Sequence, residues 1–242
     1  MKATYLNHYL ADHDVANFAR HSFAKLAEQF TPEQNHGLIR FLARGMQTDK
    51  WEELIASMLS LTSAQEANEL ARYLRKIPEH WVPFGHPHIS LRMQAPVPIR
   101  TQCFKHKIGF VESEESRRYI TSRPEFFVPD HFRAKAENVK QGSAGKHDRS
   151  DFWMQEYTDL ANFSINTYLN AIEDGVWPEQ ARFFLIQGIE VNWGWTGSLY
   201  AFAQAAVARL DSHAQKEVRD LFTEIDTIIR PLFPVSWSAL VD

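Results

Sequence analysis

Residues 105–119 read Lys-His-Lys-Ile-Gly-Phe-Val-Glu-Ser-Glu-Glu-Ser-Arg-Arg-Tyr. The segment places two lysines around a histidine, then three acids, then a serine followed by two arginines. Ammonium and guanidinium groups suit phosphate and carboxylate ligands. Composition alone favours a solvated charged loop, so the flanking sequence has to decide between a loop and a binding site.

The bulk composition narrows the class of protein. The 242-residue chain has a formal net charge of −4, whereas general nucleic-acid binders usually carry a basic excess. Its single cysteine, Cys103, cannot form an internal disulfide, which is typical of a reducing compartment. No stretch reaches the roughly 18 apolar residues of a membrane span. We expect a cytoplasmic protein of one domain, residues 1–242, that neither crosses a membrane nor binds nucleic-acid polymers.

The first third of the chain is predicted to be mostly helical. Residues 12–75 contain three helix-start signals. These are Asp14 as a cap, Thr31-Pro32-Glu33-Gln34 with Pro at the first helical position, and Ser63 ahead of an apolar pattern that ends at Leu74.

The rest of the chain alternates between strand and helix patterns. Ile89, Leu91 and Met93 alternate with polar residues, which is the period of a half-buried strand, and residues 189–195 alternate in the same way. Because helices and strands follow each other irregularly, the sequence predicts an α+β fold. Helices are predicted over residues 98–104, 151–174, 178–187 and 198–208, and from a Ser212 capping box to near residue 231; residues 122–150 are predicted to form a loop, mobile over about 130–150.

Several common functional motifs are absent from the sequence. There is no glycine-rich phosphate loop. His80, His86 and His88 lack cysteine or carboxylate partners at ligand spacing, so no metal site is predicted. Ser116 lacks the glycines of a hydrolase nucleophile, and Cys103 lies in an apolar stretch typical of a packed core thiol.

The charged segment resembles the signature of flavin-dependent thymidylate synthases. In typical members this signature is Arg-His-Arg, seven residues and Ser, with Asn-Glu shortly before the Ser and Arg-Tyr shortly after it. Here Lys105-His106-Lys107 stands for Arg-His-Arg, eight residues precede Ser116, Ser113-Glu114 stands for Asn-Glu, and Arg118-Tyr119 matches.

Flanking blocks extend the resemblance over about residues 77–232. Upstream, Pro83-Phe84-Gly85-His86 resembles the family's Pro-Phe-Glu-His. Downstream, residues 125–129, Glu-Phe-Phe-Val-Pro, resemble Glu-Phe-Tyr-Ile-Pro. Arg182 and the block Arg-Leu-Asp-Ser-His-Ala-Gln at 209–215 fall at the family's mutual spacing. The matching spacing of these downstream residues is what favours a binding site over a solvated charged loop for residues 105–119.

The resemblance implies a reaction, its cofactors and a fold. The family methylates dUMP to dTMP, with methylene-tetrahydrofolate as one-carbon donor and FAD, reduced by NADPH, as hydride source. No protein cysteine has to attack the uracil. The implied fold is a twisted, mainly antiparallel sheet flanked by helices, in a homotetramer whose active sites are shared between subunits.

The resemblance also assigns candidate site residues. Arg209 matches the residue credited with polarising the pyrimidine ring, and is the candidate catalytic residue. The dUMP-contacting positions fall on Gln102, Lys105, Glu114, Ser116, Arg118, Arg182 and Arg209. The FAD-contacting positions fall on His80, Val82, Lys105, His106, Lys107, Glu114, Ser198, Tyr200 and Gln204.

Departures from the family pattern leave alternatives open. Lysine at 105 and 107 keeps the charge of arginine but loses its fork geometry. Thr196-Gly197-Ser198-Leu199 resembles phage-type members, and residues 24–64 look like a helical insertion. The alternatives are a related enzyme acting on C5 of UMP or another pyrimidine nucleotide, or an inactive homologue that binds flavin or nucleotide.

Overall fold

The structure, a computed structural model, describes residues 1–45, 47, 49–50, 53, 56–57, 60, 63, 80–137 and 143–242. Two compact units are present, and each is assembled from three separated stretches of chain. The first unit consists of Met1–Leu6, Ser90–Thr196 and Ala208–Ile225. The second consists of Asn7–Ile89, Gly197–Val207 and Asp226–Asp242.

The described residues form the following elements. The strands are β1 (Lys2–Tyr9), β2 (His88–Pro96), β3 (Phe110–Glu114) and β4 (Glu190–Ser198). The helices are α1 (Asp12–His21), α2 (Pro32–Arg44), α3 (Val82–Gly85), α4 (Val97–Cys103), α5 (Ser150–Glu173), α6 (Pro178–Ala181), α7 (Leu199–Leu210), α8 (Lys216–Ile229) and α9 (Pro234–Val241). Short 3-10 turns cover Ala27–Gln29 and Arg182–Phe184.

The first unit is built on the sheet, whose described strands run in the order β1-β2-β4-β3. In β2 the side chains of Leu91, Met93 and Ala95 are fully buried, and the residues between them are more exposed, as the strand period requires. Trp193 and Trp195 of β4 fill the same core. Phe110 of β3 stacks on Trp195 with ring centroids 4.3 Å apart.

The second unit is a helical core in which a buried acid caps a helix. Val15, Ile39 and Trp237 are fully buried. The carboxylate of Asp12 accepts hydrogen bonds from the backbone N–H groups of Val235 at 2.7 Å and Ser236 at 3.0 Å, at the start of α9. These N–H groups lack partners inside their own helix, so the carboxylate stabilises the helix end.

The expected α+β fold with an antiparallel sheet is confirmed. The strand around Ile89–Met93 and the strand over 189–195 are present as β2 and β4, and α5 matches the predicted long helix within a residue at each end. The Thr31 start signal is a true capping box: Gln34 N–H donates to Thr31 Oγ at 3.3 Å, and Thr31 N–H donates to Gln34 Oε1 at 2.9 Å.

Three helix boundaries were predicted wrongly. Asp14 is not the cap of α1, which begins at Asp12; it lies in the first turn, where its carboxylate accepts the Ala11 N–H at 2.9 Å. The helix expected over 178–187 ends at Ala181, because a 3-10 turn follows it. The helix expected from Ser212 begins at Lys216, because the Asp211 carboxylate accepts the His213 N–H at 2.8 Å and forms a turn there. The strands β1 and β3 were not predicted at all.

Other predictions lie partly or wholly outside the described residues. Beyond Ser63, the helix expected to end at Leu74 is outside them. Within the loop expected over 130–150, Arg133 and Lys146 form an antiparallel bridge, and Ala134 N–H donates to the Gly145 carbonyl at 2.9 Å. Its mobility, the insertion over 24–64 and the single-domain assignment stay predictions. Among the described helices, none has the length and apolar character needed to cross a membrane.

Candidate active site

Three of the predicted site residues meet at the end of α7 in the first unit. Arg209 donates from Nε to Nε2 of His106 at 2.9 Å and from Nη2 to the backbone carbonyl of Gln102 at 3.1 Å. The turn after α4 presents both partners, since Lys105 N–H bonds the Gln102 carbonyl and His106 N–H bonds the Cys103 carbonyl. The fold therefore brings together residues that are more than 100 positions apart.

The contact fixes the protonation of His106. Burial, helped by the positive charge of Arg209, lowers the pKa of His106. An imidazole that accepts a hydrogen bond at Nε2 is neutral and carries its proton on Nδ1. Nδ1–H of His106 is therefore the donor that this ring offers to a ligand.

A cavity of about 500 Å³ lies beside this contact. Gln102 and Arg209 line it together with Gln215, Lys216 and Arg219. In this cavity the described lining residues include four cations and no aspartate or glutamate. Such a wall favours an anionic or electron-rich ligand.

A second cavity in the same unit, of about 350 Å³, holds another part of the predicted nucleotide set. Glu114, at the end of β3, lines it with Ser116 and Arg182. Glu179 holds Arg118 near Arg182, because both arginines contact Glu179. Arg118 Nη2 lies 3.1 Å from the Glu179 carboxylate, and Arg182 Nε donates to the Glu179 carbonyl at 3.1 Å.

Glu114 lies half-buried at the border of this second cavity. Burial raises the pKa of its carboxyl group, and the positive charge of Arg100 opposes that rise. The two side chains form an ion pair with an N–O distance of 2.9 Å. Lys105, the remaining predicted nucleotide residue, is exposed and lines neither cavity.

The predicted flavin residues are divided between the two units. In the first unit, Lys105 and Lys107 are exposed cations on either side of His106, and Lys107 pairs with Glu112 at 2.6 Å. The two lysines supply donors for a dinucleotide's phosphates, His106 supplies one for a heterocycle's edge, and Glu114, described above, supplies an acceptor. The first unit's residues thus fit a flavin.

The second unit supplies the other predicted flavin residues. Tyr200 lies against Trp81 with ring centroids 5.5 Å apart, and it hydrogen-bonds Gln204. His80 and Val82 are exposed beside Trp81. The pair of exposed or half-exposed rings suits a planar ligand. Ser198 is different: it is buried, and its Oγ accepts the Ala201 N–H at 3.1 Å, so it caps α7.

Cys103 is not part of this chemistry. The thiol is fully buried, and burial raises its pKa to about 12 despite the nearby charge of Arg209. A thiol is nucleophilic only as thiolate, so Cys103 is inert at neutral pH.

The sequence analysis did not identify the residues that hold the predicted site residues in place. Glu179 anchors Arg118 and Arg182, and its only signal is its place three residues before Arg182. Gln215 donates to Glu217 at 2.8 Å and accepts from Gln102 Nε2 at 2.6 Å. Gln215 ends the recognised block at 209–215 but was given no role.

Comparisons with known proteins identify the family of the chain. The model of the family described as "Thymidylate synthase complementing protein" (Thy1) matches residues 6–235. A flavin-dependent thymidylate synthase of Dictyostelium discoideum is 29% identical over 73% of this chain and 59% of its own length. One from Thermosipho africanus is 30% identical over 67% of this chain and 72% of its own length. The chain thus spans less than two thirds of the Dictyostelium protein.

Solved structures show the same fold. A UMP/dUMP methylase, PolB, of Streptomyces cacaoi bound with 5-Br dUMP superposes with a TM-score of 0.75, at 22% identity, over 98% of this chain and 93% of its own. The same protein bound with 5-Br UMP gives a TM-score of 0.73 at 19% identity. Since the family model covers nearly the whole sequence, the chain belongs to the Thy1 family, whose curated members are named flavin-dependent thymidylate synthases.

Proposed function

We propose that the protein is a flavin-dependent thymidylate synthase that converts dUMP to dTMP by reductive methylation at C5. Methylene-tetrahydrofolate is the proposed one-carbon donor, and NADPH the proposed reductant. The observation that carries the proposal is the contact of Arg209 with His106 beside the acid-free cavity. It joins the residue expected to polarise the pyrimidine to one expected to touch the flavin.

Arg209 is the proposed catalytic residue. Negative charge develops on the pyrimidine ring, at O4, as C5 becomes nucleophilic. A fixed guanidinium stabilises that charge best when it is already oriented before the reaction. The hydrogen bonds to His106 and to the Gln102 carbonyl hold the Arg209 side chain in place, and its remaining N–H groups are available for the ring.

The nucleotide's phosphate is assigned to the second cavity. Ser116 and Arg182 line it, and Arg118 is held beside Arg182 by Glu179. Arginine forks and a hydroxyl are good phosphate ligands. Glu114 and Lys105 complete the proposed nucleotide set. Because Arg118 starts out paired with Glu179, the phosphate has to displace that carboxylate.

FAD is the proposed cofactor, and when bound it supplies the hydride that reduces the methylated ring. Lys105 and Lys107 are proposed to hold its phosphates, and His106 to donate from Nδ1 to its ring edge. In the second unit, Tyr200 and Gln204 are proposed contacts, with His80 and Val82 beside them. Ser198 is proposed to act on the flavin only through the backbone that it caps.

We also propose a homotetramer with shared active sites, acting in the cytoplasm. Two observations support it. The proposed nucleotide residues lie on two separate cavities of the first unit. Large apolar side chains are also exposed in that unit, including Phe163 at 71% and Phe183 at 79% exposure, and phenylalanine is enriched at interfaces between protein chains. Light scattering that shows an active monomer would contradict the tetramer.

Tritium release from C5 of labelled dUMP tests the main proposal. The purified flavin-loaded enzyme is incubated anaerobically with methylene-tetrahydrofolate and NADPH, and release together with dTMP formation is expected. No release from an enzyme that carries FAD would contradict synthase activity and favour an inactive flavin- or nucleotide-binding homologue. Omitting each co-substrate in turn tests the folate and NADPH assignments separately.

UMP is the second candidate substrate. The Streptomyces cacaoi protein with the same fold is named a UMP/dUMP methylase and was bound with both 5-bromo nucleotides. The same tritium assay with UMP in place of dUMP decides between the substrates. A kcat/KM for UMP equal to or above that for dUMP would assign this chain to the second activity.

A further inference from the structure

Four side chains form a continuous chain of hydrogen bonds, called the relay below, and three of them, Arg133, Gln215 and Gln102, line the 500 Å³ cavity. Arg133 donates from Nη1 and Nη2 to the two carboxylate oxygens of Glu217 at 2.6 and 2.8 Å. Gln215 Nε2 donates to Glu217 Oε2 at 2.8 Å. Gln102 Nε2 donates to Gln215 Oε1 at 2.6 Å. The relay therefore starts at a part-buried ion pair and ends at a residue proposed to touch the nucleotide.

The ion pair holds the relay firmly. The side chains of Arg133 and Glu217 are only 20% and 12% exposed. Burial alone would raise the pKa of Glu217, but hydrogen bonds from Arg133 and Gln215 outweigh it and hold the pKa at about 2. Glu217 is therefore ionised throughout the physiological range. Ser143 Oγ, which lies 2.6 Å from Arg133 Nε, fixes the other side of the guanidinium.

The charge of Glu217 sets the direction of every bond in the relay. An ionised carboxylate only accepts hydrogen bonds. Gln215 must therefore turn its NH2 group to Glu217 and its carbonyl to Gln102. Gln102 must in turn offer its NH2 group to Gln215. Among the described residues no partner occupies Gln102 Oε1, so this carbonyl is left as an acceptor for a ligand.

A fixed acceptor distinguishes the two common pyrimidines. Uracil carries a hydrogen on ring nitrogen N3 and donates there, whereas N3 of neutral cytosine is an acceptor. The Oε1 atom of Gln102 can pair with the first and meets only repulsion from the second. A site built to pair with one hydrogen-bonding pattern rejects the other strongly, because its polar groups are then left unpaired.

We propose that Glu217, held by Arg133, is a positioning residue that acts through Gln215 to lock the Gln102 amide in the orientation that selects uracil over cytosine nucleotides. The inference rests on the proposed function, since it requires the pyrimidine to lie against Gln102. It adds a source of base specificity that is three side chains away from the ligand.

Three variants test the relay on the flavin-loaded enzyme. Glu217→Gln keeps the shape but can donate or accept, so the direction is no longer imposed. Gln215→Met cuts the relay and leaves the Arg133–Glu217 pair intact. The double variant Gln215→Glu/Glu217→Gln moves the carboxylate next to Gln102, where it can again only accept from the Gln102 NH2 group. Asp226→Asn is the control, because it weakens a comparable ion pair with Arg230 in the other unit.

The measurement is the ratio of dissociation constants for dCMP and dUMP, by competition titration, together with the melting temperature and KM and kcat for dUMP. We expect the ratio to fall about tenfold in Glu217→Gln and Gln215→Met, mainly through KM, as for loss of one hydrogen bond to a charged network. The double variant should recover most of the ratio. Asp226→Asn should lower the melting temperature and leave the ratio unchanged.

The outcomes separate the two proposals. A wild-type enzyme that binds dUMP, with variants that keep its dCMP-to-dUMP ratio within twofold, overturns the relay alone. A ratio that falls in the single variants but does not recover in the double variant also overturns it, because the direction of the bonds is then irrelevant. A wild-type enzyme that binds no dUMP contradicts the proposed function and with it the relay.

Discussion

Arg209 Nε and His106 Nε2 lie 2.9 Å apart, and the arginine donates to the imidazole. The proposed pyrimidine contact and the proposed flavin contact therefore share a hydrogen bond. Any change in the protonation or position of one residue acts directly on the other. The first two predictions follow from this bond.

Replacing Arg209 by lysine should abolish most of the activity. An ammonium keeps the charge but cannot reach His106, the Gln102 carbonyl and a substrate at once. We expect kcat to fall by about 10²-fold or more, as for the loss of one oriented donor at a developing charge, with the fold retained by circular dichroism. Arg123→Lys, which changes an arginine bonded to Asn162 and Asn166, is the matched control. Turnover of Arg209→Lys within threefold of wild type would rule out the proposed role.

Stability should fall at acid pH because of His106. Its pKa is lowered in the folded protein by burial first and by Arg209 second, so the unfolded chain, with a pKa of about 6.5, binds the proton more tightly. The contribution of His106 to the free energy of unfolding is therefore complete above about pH 6.5. It is lost as the pH falls through the lowered pKa that His106 has in the folded protein. Urea unfolding between pH 8 and 5 should show this loss in wild type and less of it in His106→Gln. Identical pH profiles would contradict it.

Replacing Glu179 by glutamine should strengthen nucleotide binding. The Glu179 carboxylate neutralises Arg118 in the free enzyme and competes with the incoming phosphate. Exposed pairs of this kind contribute about 0–1 kcal/mol, so the dissociation constant for dUMP should fall by about two- to fivefold. Glu173→Gln, which removes the same charge from the end of α5, is the control. Weaker binding in Glu179→Gln would mean that the carboxylate positions the arginines for the ligand.

Replacing Gly188 by alanine should destabilise the first unit. A Cβ atom at this position would lie 2.0 Å from the hydroxyl oxygen of Tyr157, which donates to the Phe127 carbonyl at 2.7 Å. Relief of the clash has to break that bond, and we expect a loss of about 1–3 kcal/mol in the free energy of unfolding. Gly145→Ala is the control, since nothing lies within 4 Å of its added Cβ. Equal stability of the two variants would refute this explanation.

Local patterns predicted the elements whose signals are local. Proline positions and strict alternation gave β2, and the Thr31 capping box gave the start of α2. β1 and β3 carry many polar residues and are strands because they pair with neighbouring strands. Such pairing cannot be seen in a short stretch of sequence. The start of α8 was predicted wrongly because the Asp211 side chain accepts a hydrogen bond from the backbone N–H of His213 in the preceding turn.

The sequence named candidate residues for the site but not the contacts between them. The family pattern pointed to Arg209 and His106 separately, yet their hydrogen bond joins residues 103 positions apart. Likewise, nothing local marks Arg133 as the partner of Glu217, 84 positions away. Which cation meets which acid depends on the packing of the whole unit, and a single sequence does not contain that information.

The interleaving of the two units has a consequence for how the chain is made. The first unit needs residues from both Met1–Leu6 and Ala208–Ile225, and the second needs Asp226–Asp242. Neither core can close before the ribosome has added these segments, and long-range closure is slow. Growing chains should therefore expose apolar surface until Asp226–Asp242 has been made, so the yield of active protein should depend strongly on chaperones and on growth temperature.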